Sequence, residues 1–159
     1  MIKKLHFLLM KKILVIVLLL LVTVAATTPE QKRQSETAKS INGTWELVSH
    51  YIYDGVNITD TIIEKGTGAR QIKMYNNDKV MWTRIVPSVS AEWFGYGSYR
   101  TTESKLFETL EYGSSTMMEM MDSIEVFEFE LILKENSFSQ ITLDAEGYRV
   151  HSENYVRID

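Results

Sequence analysis

From Ile41 onward, side chains in this chain alternate with a period of two, and turn residues recur at short spacing. An amphipathic helix would repeat every three to four residues, so this pattern restricts the chain to a meandering antiparallel sheet. The clearest stretch is Ile124 to Lys134, where Phe127, Phe129, Leu131 and Leu133 alternate with Glu128, Glu130 and Ile132. One face of such a strand meets a core and the other meets water.

The same reading predicts eight strands. The first is Gly43 to Tyr53, with Trp45, Leu47, Ser49, Tyr51 and Tyr53 on one face and His50 on the other. Val56 to Gly68 is a longer connection. Strands follow over about 69–75, 79–86, 93–102, 105–112, 124–134, 137–143 and 148–158, separated by turns such as Asn76-Asn77-Asp78 and Glu135-Asn136. Pro87 stops the third strand, because proline cannot donate to a ladder. Eight strands joined mostly by short turns can close on themselves, which removes two sticky edges. The predicted fold is therefore all-β, an eight-stranded antiparallel up-and-down barrel. A barrel of that size holds side chains or one small ligand. Gly95-Tyr96-Gly97 reads as room for close packing in a bent strand rather than a phosphate loop.

The 159 residues suit one domain, and its expected extent is 41–159. Ahead of it, Ile13 to Val22 is an unbroken apolar run preceded by Lys11-Lys12 and followed by Val24-Ala25-Ala26. A basic start, a short apolar middle and a small-residue end describe a secretory signal, expected over 1–26 as a helix before cleavage. The run is short for a transmembrane helix. Met1 and Met10 both precede such a leader and both remain as starts. Residues 27–40 are polar throughout and read as a tether.

Charge and composition narrow the partners. Without the four leader lysines the chain keeps 13 basic against 21 acidic residues, a net of −8. That sign disfavours nucleic acid and anionic membrane surfaces. There is no Cys, which removes disulfides, thiolate metal sites and a lipoprotein anchor. Asn42-Gly43-Thr44 and Asn57-Ile58-Thr59 match a glycosylation pattern, but with a leader of bacterial type they read as chance.

A family enters through a set of short motifs. Gly43-Thr44-Trp45-Glu46-Leu47 resembles the Gly-x-Trp opening of the calycins, the lipocalins and fatty-acid-binding proteins. Gln71-Ile72-Lys73, Met81-Trp82-Thr83-Arg84, Gly95-Tyr96-Gly97-Ser98-Tyr99, Glu108-Thr109-Leu110-Glu111-Tyr112 and Glu153-Asn154-Tyr155-Val156-Arg157 resemble the bacterial lipocalin-like domain family in order and spacing. The resemblance spans about 41–158. It implies an up-and-down barrel with one open and one closed end. It also implies that Trp45, two residues after Gly43, plugs the closed end while Arg157 packs over the indole. The further motifs, disulfide and C-terminal helix common in lipocalins have no counterpart in this sequence.

For chemistry, no nucleophile elbow or zinc-binding helix motif is present, so no catalytic residue, metal or cofactor is assigned and the chain does not read as an enzyme. The candidate ligand-binding residues are Tyr51, Tyr53, Trp82, Arg84, Trp93, Tyr96, Tyr99, His151 and Tyr155. Facing inward, they would make an aromatic lumen with fixed cations, suited to an amphipathic acid. A side-chain-filled lumen is the alternative. Met117, Met118, Met120 and Met121 lie between two strands. Thioethers bind Cu(I), but flexible methionines also form an adaptable lid, and packing or a lid is the expectation here. The resulting functional expectation is an exported protein, periplasmic or secreted, binding a small hydrophobic or amphipathic molecule. The alternative is an envelope protein-interaction module with a filled barrel.

Overall fold

The structure is a computed structural model that describes residues 39–89 and 93–159. The expected signal peptide and most of the expected tether lie outside the described residues. Among those described, nine strands and one short helix follow in order: β1 Gly43–Gly55, β2 Ile58–Ile63, β3 Arg70–Asn76, β4 Lys79–Ile85, β5 Trp93–Thr101, β6 Lys105–Gly113, α1 Ser115–Met121, β7 Phe127–Leu133, β8 Ser137–Leu143 and β9 Arg149–Arg157. Every strand pairing is antiparallel.

Eight of these strands close a ring. β3 to β9 pair in sequence, and β1 joins them by pairing with β3 on one edge and β9 on the other. The ring holds the eight strands that the alternation predicts. β2 is a ninth, paired with β1 only, inside the segment expected to be a connection. Its residues, ITDTII, are mostly β-branched and fit an extended backbone. All six are exposed, so no buried face imposes an alternation that could be read. The sixth ring strand, β7, also starts later than expected, at Phe127. The amides of Ser123 and Ile124 bond to the Met120 carbonyl and belong to the end of α1.

One irregularity sets the faces of β1. Opposite β9, Leu47 pairs with Tyr155 but the next partner of Asn154 is Ser49, so Val48 is an extra residue. A bulge of this kind swaps inside for outside. Trp45 and Leu47 point into the lumen, whereas beyond the bulge His50 and Ile52 sit opposite Glu153 and His151. The expectation that Ser49, Tyr51 and Tyr53 share a face with Trp45, and that His50 points out, is corrected by this single inserted residue.

Aromatic side chains fill one end of the barrel. Trp45 is fully buried and meets Phe138 edge-on at 4.9 Å. Phe138 stacks on Tyr155 at 4.5 Å, and Tyr75 meets Tyr99 edge-on at 4.7 Å. Val80, Leu106 and Leu131 complete the cluster. The Trp45 indole N–H donates to the Ile41 carbonyl at 2.7 Å. Above the indole, 4.0 Å from its ring, lies the Arg157 guanidinium, an attractive placement for a cation on an aromatic face. That guanidinium also donates to the carbonyls of Asn42, Ser40 and Glu135. Gly43 makes the arrangement possible: its φ is +135°, and a Cβ there would lie 2.0 Å from Arg157 Nη1.

Candidate ligand-binding cavity

At the opposite end the lumen is not filled. A cavity of about 230 Å³ is lined by β3, β4, β5, β6, β7, β8 and β9 and by Met117 of α1. Its apolar wall is made by Trp82, Trp93, Phe127, Phe129, Leu110 and Met117. Trp82 lies where it does because its cross-strand partner is Gly95, whose missing side chain leaves room: a Cβ would meet the indole at 2.8 Å. Gly113 likewise lets the chain turn into α1, since a Cβ there would lie 2.6 Å from the Phe94 carbonyl oxygen.

The polar wall is one continuous network. Deepest is the ion pair of Lys73 and Glu108, both almost fully buried, with Nζ 3.0 and 3.2 Å from the two carboxylate oxygens. Lys73 donates a third bond to Gln140 at 2.8 Å, and Glu108 accepts from the Tyr75 hydroxyl at 2.5 Å. A buried pair is tolerated when its remaining donors and acceptors are met in this way. Gln140 then donates to Glu153 Oε2 at 2.7 Å, as does the Tyr155 hydroxyl at 2.5 Å. Gln71 donates to that same hydroxyl at 2.7 Å and accepts from Arg84 at 3.2 Å. Arg84 pairs with Glu64 at 2.9 Å, and Glu64 accepts from His50 at 2.7 Å. His50 Nδ1 and His151 Nε2, 3.0 Å apart, share the last hydrogen bond.

Ionisation follows from these contacts. Burial pushes Tyr75 and Tyr155 well above the usual phenol value, and the neighbouring carboxylates push the same way, so both remain neutral donors. Burial alone would raise Glu64, but hydrogen bonds from Arg84 and His50, with their charge, outweigh it and hold the carboxyl below its usual value. Burial lowers His151, and the opposing charge of Glu153 does not fully offset this. The cavity end therefore carries two fixed cations, Lys73 and Arg84, against three carboxylates, Glu64, Glu108 and Glu153. Both cations are ion-paired. Among the described residues Glu153 has no cationic partner, and its Oε1 accepts no hydrogen bond.

Of the residues singled out in the sequence, Trp82, Arg84, Trp93 and His151 line the cavity. Tyr155 lies beneath it, with its hydroxyl tied to Gln71 and Glu153. Tyr99 is at the closed end, bonded to Asn42. Tyr51 and Tyr53 sit on the outer side of β1 beyond the bulge, where the Tyr53 hydroxyl lies 3.4 Å from Ser152. Tyr96 faces out beside Tyr112, ring to ring at 5.2 Å. The expected fixed cation for an acid is not free: Arg84 is occupied by Glu64 and Gln71, and Arg157 belongs to the other end. Lys73, Glu108, Gln140, Glu153 and Glu64 were not singled out as site residues. Of the four clustered methionines only Met117 is buried.

No family model matches this chain, and no curated protein matches it. Two solved structures are similar to it. One is a lipocalin-like protein from Bacteroides uniformis, 11% identical, with 74% of this chain and 97% of that chain covered at a TM-score of 0.49. The other is an uncharacterized protein from Bacteroides eggerthii, 14% identical, with 75% and 100% covered at a TM-score of 0.48.

Proposed function

We propose that this chain is an exported small-molecule-binding protein that holds its ligand in the polar end of the barrel. One observation carries the reading: a cavity of about 230 Å³ with one aromatic wall and one hydrogen-bonded wall. Ligand pockets are mostly apolar with a few convergent polar groups, usually from about 300 Å³ upward, so a small ligand fits. The polar groups around the cavity are held by one another, which favours a preformed binding site over proton transfer or nucleophilic attack. The leader-like first 26 residues support export to the periplasm or beyond. Native mass spectrometry of the protein purified gently from its own host tests the reading. An organic mass retained on the folded chain and lost on unfolding is the expected result. A bare chain that also takes up no small molecule from a host extract contradicts it.

A second reading, an envelope interaction module, draws support from the outer wall. Met74, Met81, Tyr96 and Tyr112 stand directly opposite one another across β3 to β6, and Met81 and Tyr112 are about half exposed. A row of apolar groups of this kind can mark a protein contact. On that reading Met81→Lys releases a co-purifying partner.

A further inference from the structure

We infer that the ligand is a small organic cation, an amine carried as its ammonium form, held by Glu153 against the aromatic wall. The inference rests on the cavity being a ligand site and adds the ligand's charge. Three features point the same way. The first is the charge imbalance: each cation around the cavity has an ion-pair partner, whereas Glu153 has none among the described residues. Its Oε2 is fixed by Gln140 and Tyr155, so the carboxylate is oriented in advance, and Oε1 is left to accept from a ligand. A charge-assisted N–H···O bond to a pre-oriented carboxylate is among the stronger polar contacts.

The second feature is the opposite wall. Trp82, Trp93, Phe127 and Phe129 line the same cavity. Aromatic faces attract ammonium groups and accommodate the ligand's apolar body. A hard metal ion is poorly served here, since it needs several oxygen ligands and keeps its water. The third is the field of the whole chain, which carries a formal −4 even with every lysine of the leader counted. Such a field draws cations toward the mouth and repels acids. An amphipathic acid would meet a free carboxylate and two cations already occupied.

The protein contains three tryptophans, and two of them line the cavity, so ligand entry is read from tryptophan fluorescence. Three probes of one shape separate charge from size: phenethylammonium, phenethyl alcohol and hydrocinnamate. The expected ranking is phenethylammonium tightest, the alcohol weaker by about tenfold or more, and hydrocinnamate weakest. In Glu153→Gln, whose amide still accepts from Tyr155, ammonium and alcohol bind alike. If the alcohol or hydrocinnamate binds the native protein as well as the ammonium does, the charge inference is overturned while the ligand site stands. If Glu153→Gln keeps the ammonium preference, Glu153 is not its source and the assignment fails. If no probe binds at millimolar concentration, the site reading falls together with the inference.

Discussion

At the Trp45 end of this barrel, ring packs against ring until no space is left, and Arg157 lies across the top. At the far end the same strands carry charged and amide side chains, and a cavity remains. The two ends are stabilised differently. Aromatic burial at the closed end is non-directional and tolerates small shifts. The network from Tyr75 to His151 is directional, and each group in it is positioned by its neighbours. Packing of one end leaves the other to hold a carboxylate, Glu153, that has no cationic partner among the described residues and is still oriented by Gln140 and Tyr155.

Substitutions at each end sharpen that contrast. Trp45→Ala removes the largest fully buried side chain and is expected to cost about 3–5 kcal/mol in urea unfolding. Binding at the cavity should change little in whatever fraction stays folded. Lys73→Met strands the Glu108 charge beneath the cavity and is expected to cost about 3 kcal/mol. Adding Glu108→Gln removes that charge while leaving Tyr75 an acceptor, so the double variant should be the more stable of the two. A double variant no better than the single one would mean the pair contributes no coupled charge energy.

Acidity acts on the polar end. His151 has a folded-state pKa below its ordinary 6.5 and so binds its proton less readily when folded. Its contribution to stability is complete above pH 6.5 and is lost as pH falls through the lowered folded value. Glu64, likewise lowered from 4.5, contributes above that pH and loses its contribution as pH falls further. The unfolding midpoint of the native chain should therefore begin to drop below pH 6.5. In His151→Gln it should stay flat until the carboxylates titrate. The smallest effects are expected on α1: Met118→Ser and Met120→Ser, both exposed, should lie within about 0.5 kcal/mol of the native chain. Met117→Ser, buried against the cavity, should cost about 2 kcal/mol.

The ring was legible because β7 alternates over most of its length and short turns fix the order of the strands around it. β2 was not, because a strand exposed on both faces has no alternation to show. The inward face of β1 was legible up to Leu47 and lost at Val48, since nothing in the residue types marks a one-residue bulge. The aromatic wall was partly visible in Trp82 and Trp93. The polar wall was not, and β3 shows why. Gln71 and Lys73 face inward while Met74 is 42% exposed, the reverse of what hydrophobicity suggests. Their burial depends on partners from β6, β8 and β9, distant in sequence and visible only once the ring closes.

The indole N–H resonances of the three tryptophans test the division between the two ends most directly, because one belongs to the closed end and two to the cavity. On titration with phenethylammonium, the Trp82 and Trp93 signals should move along a saturating curve while the Trp45 signal stays fixed. Movement of Trp45 together with the others, or of none of the three, would contradict an open polar end built on a closed aromatic one.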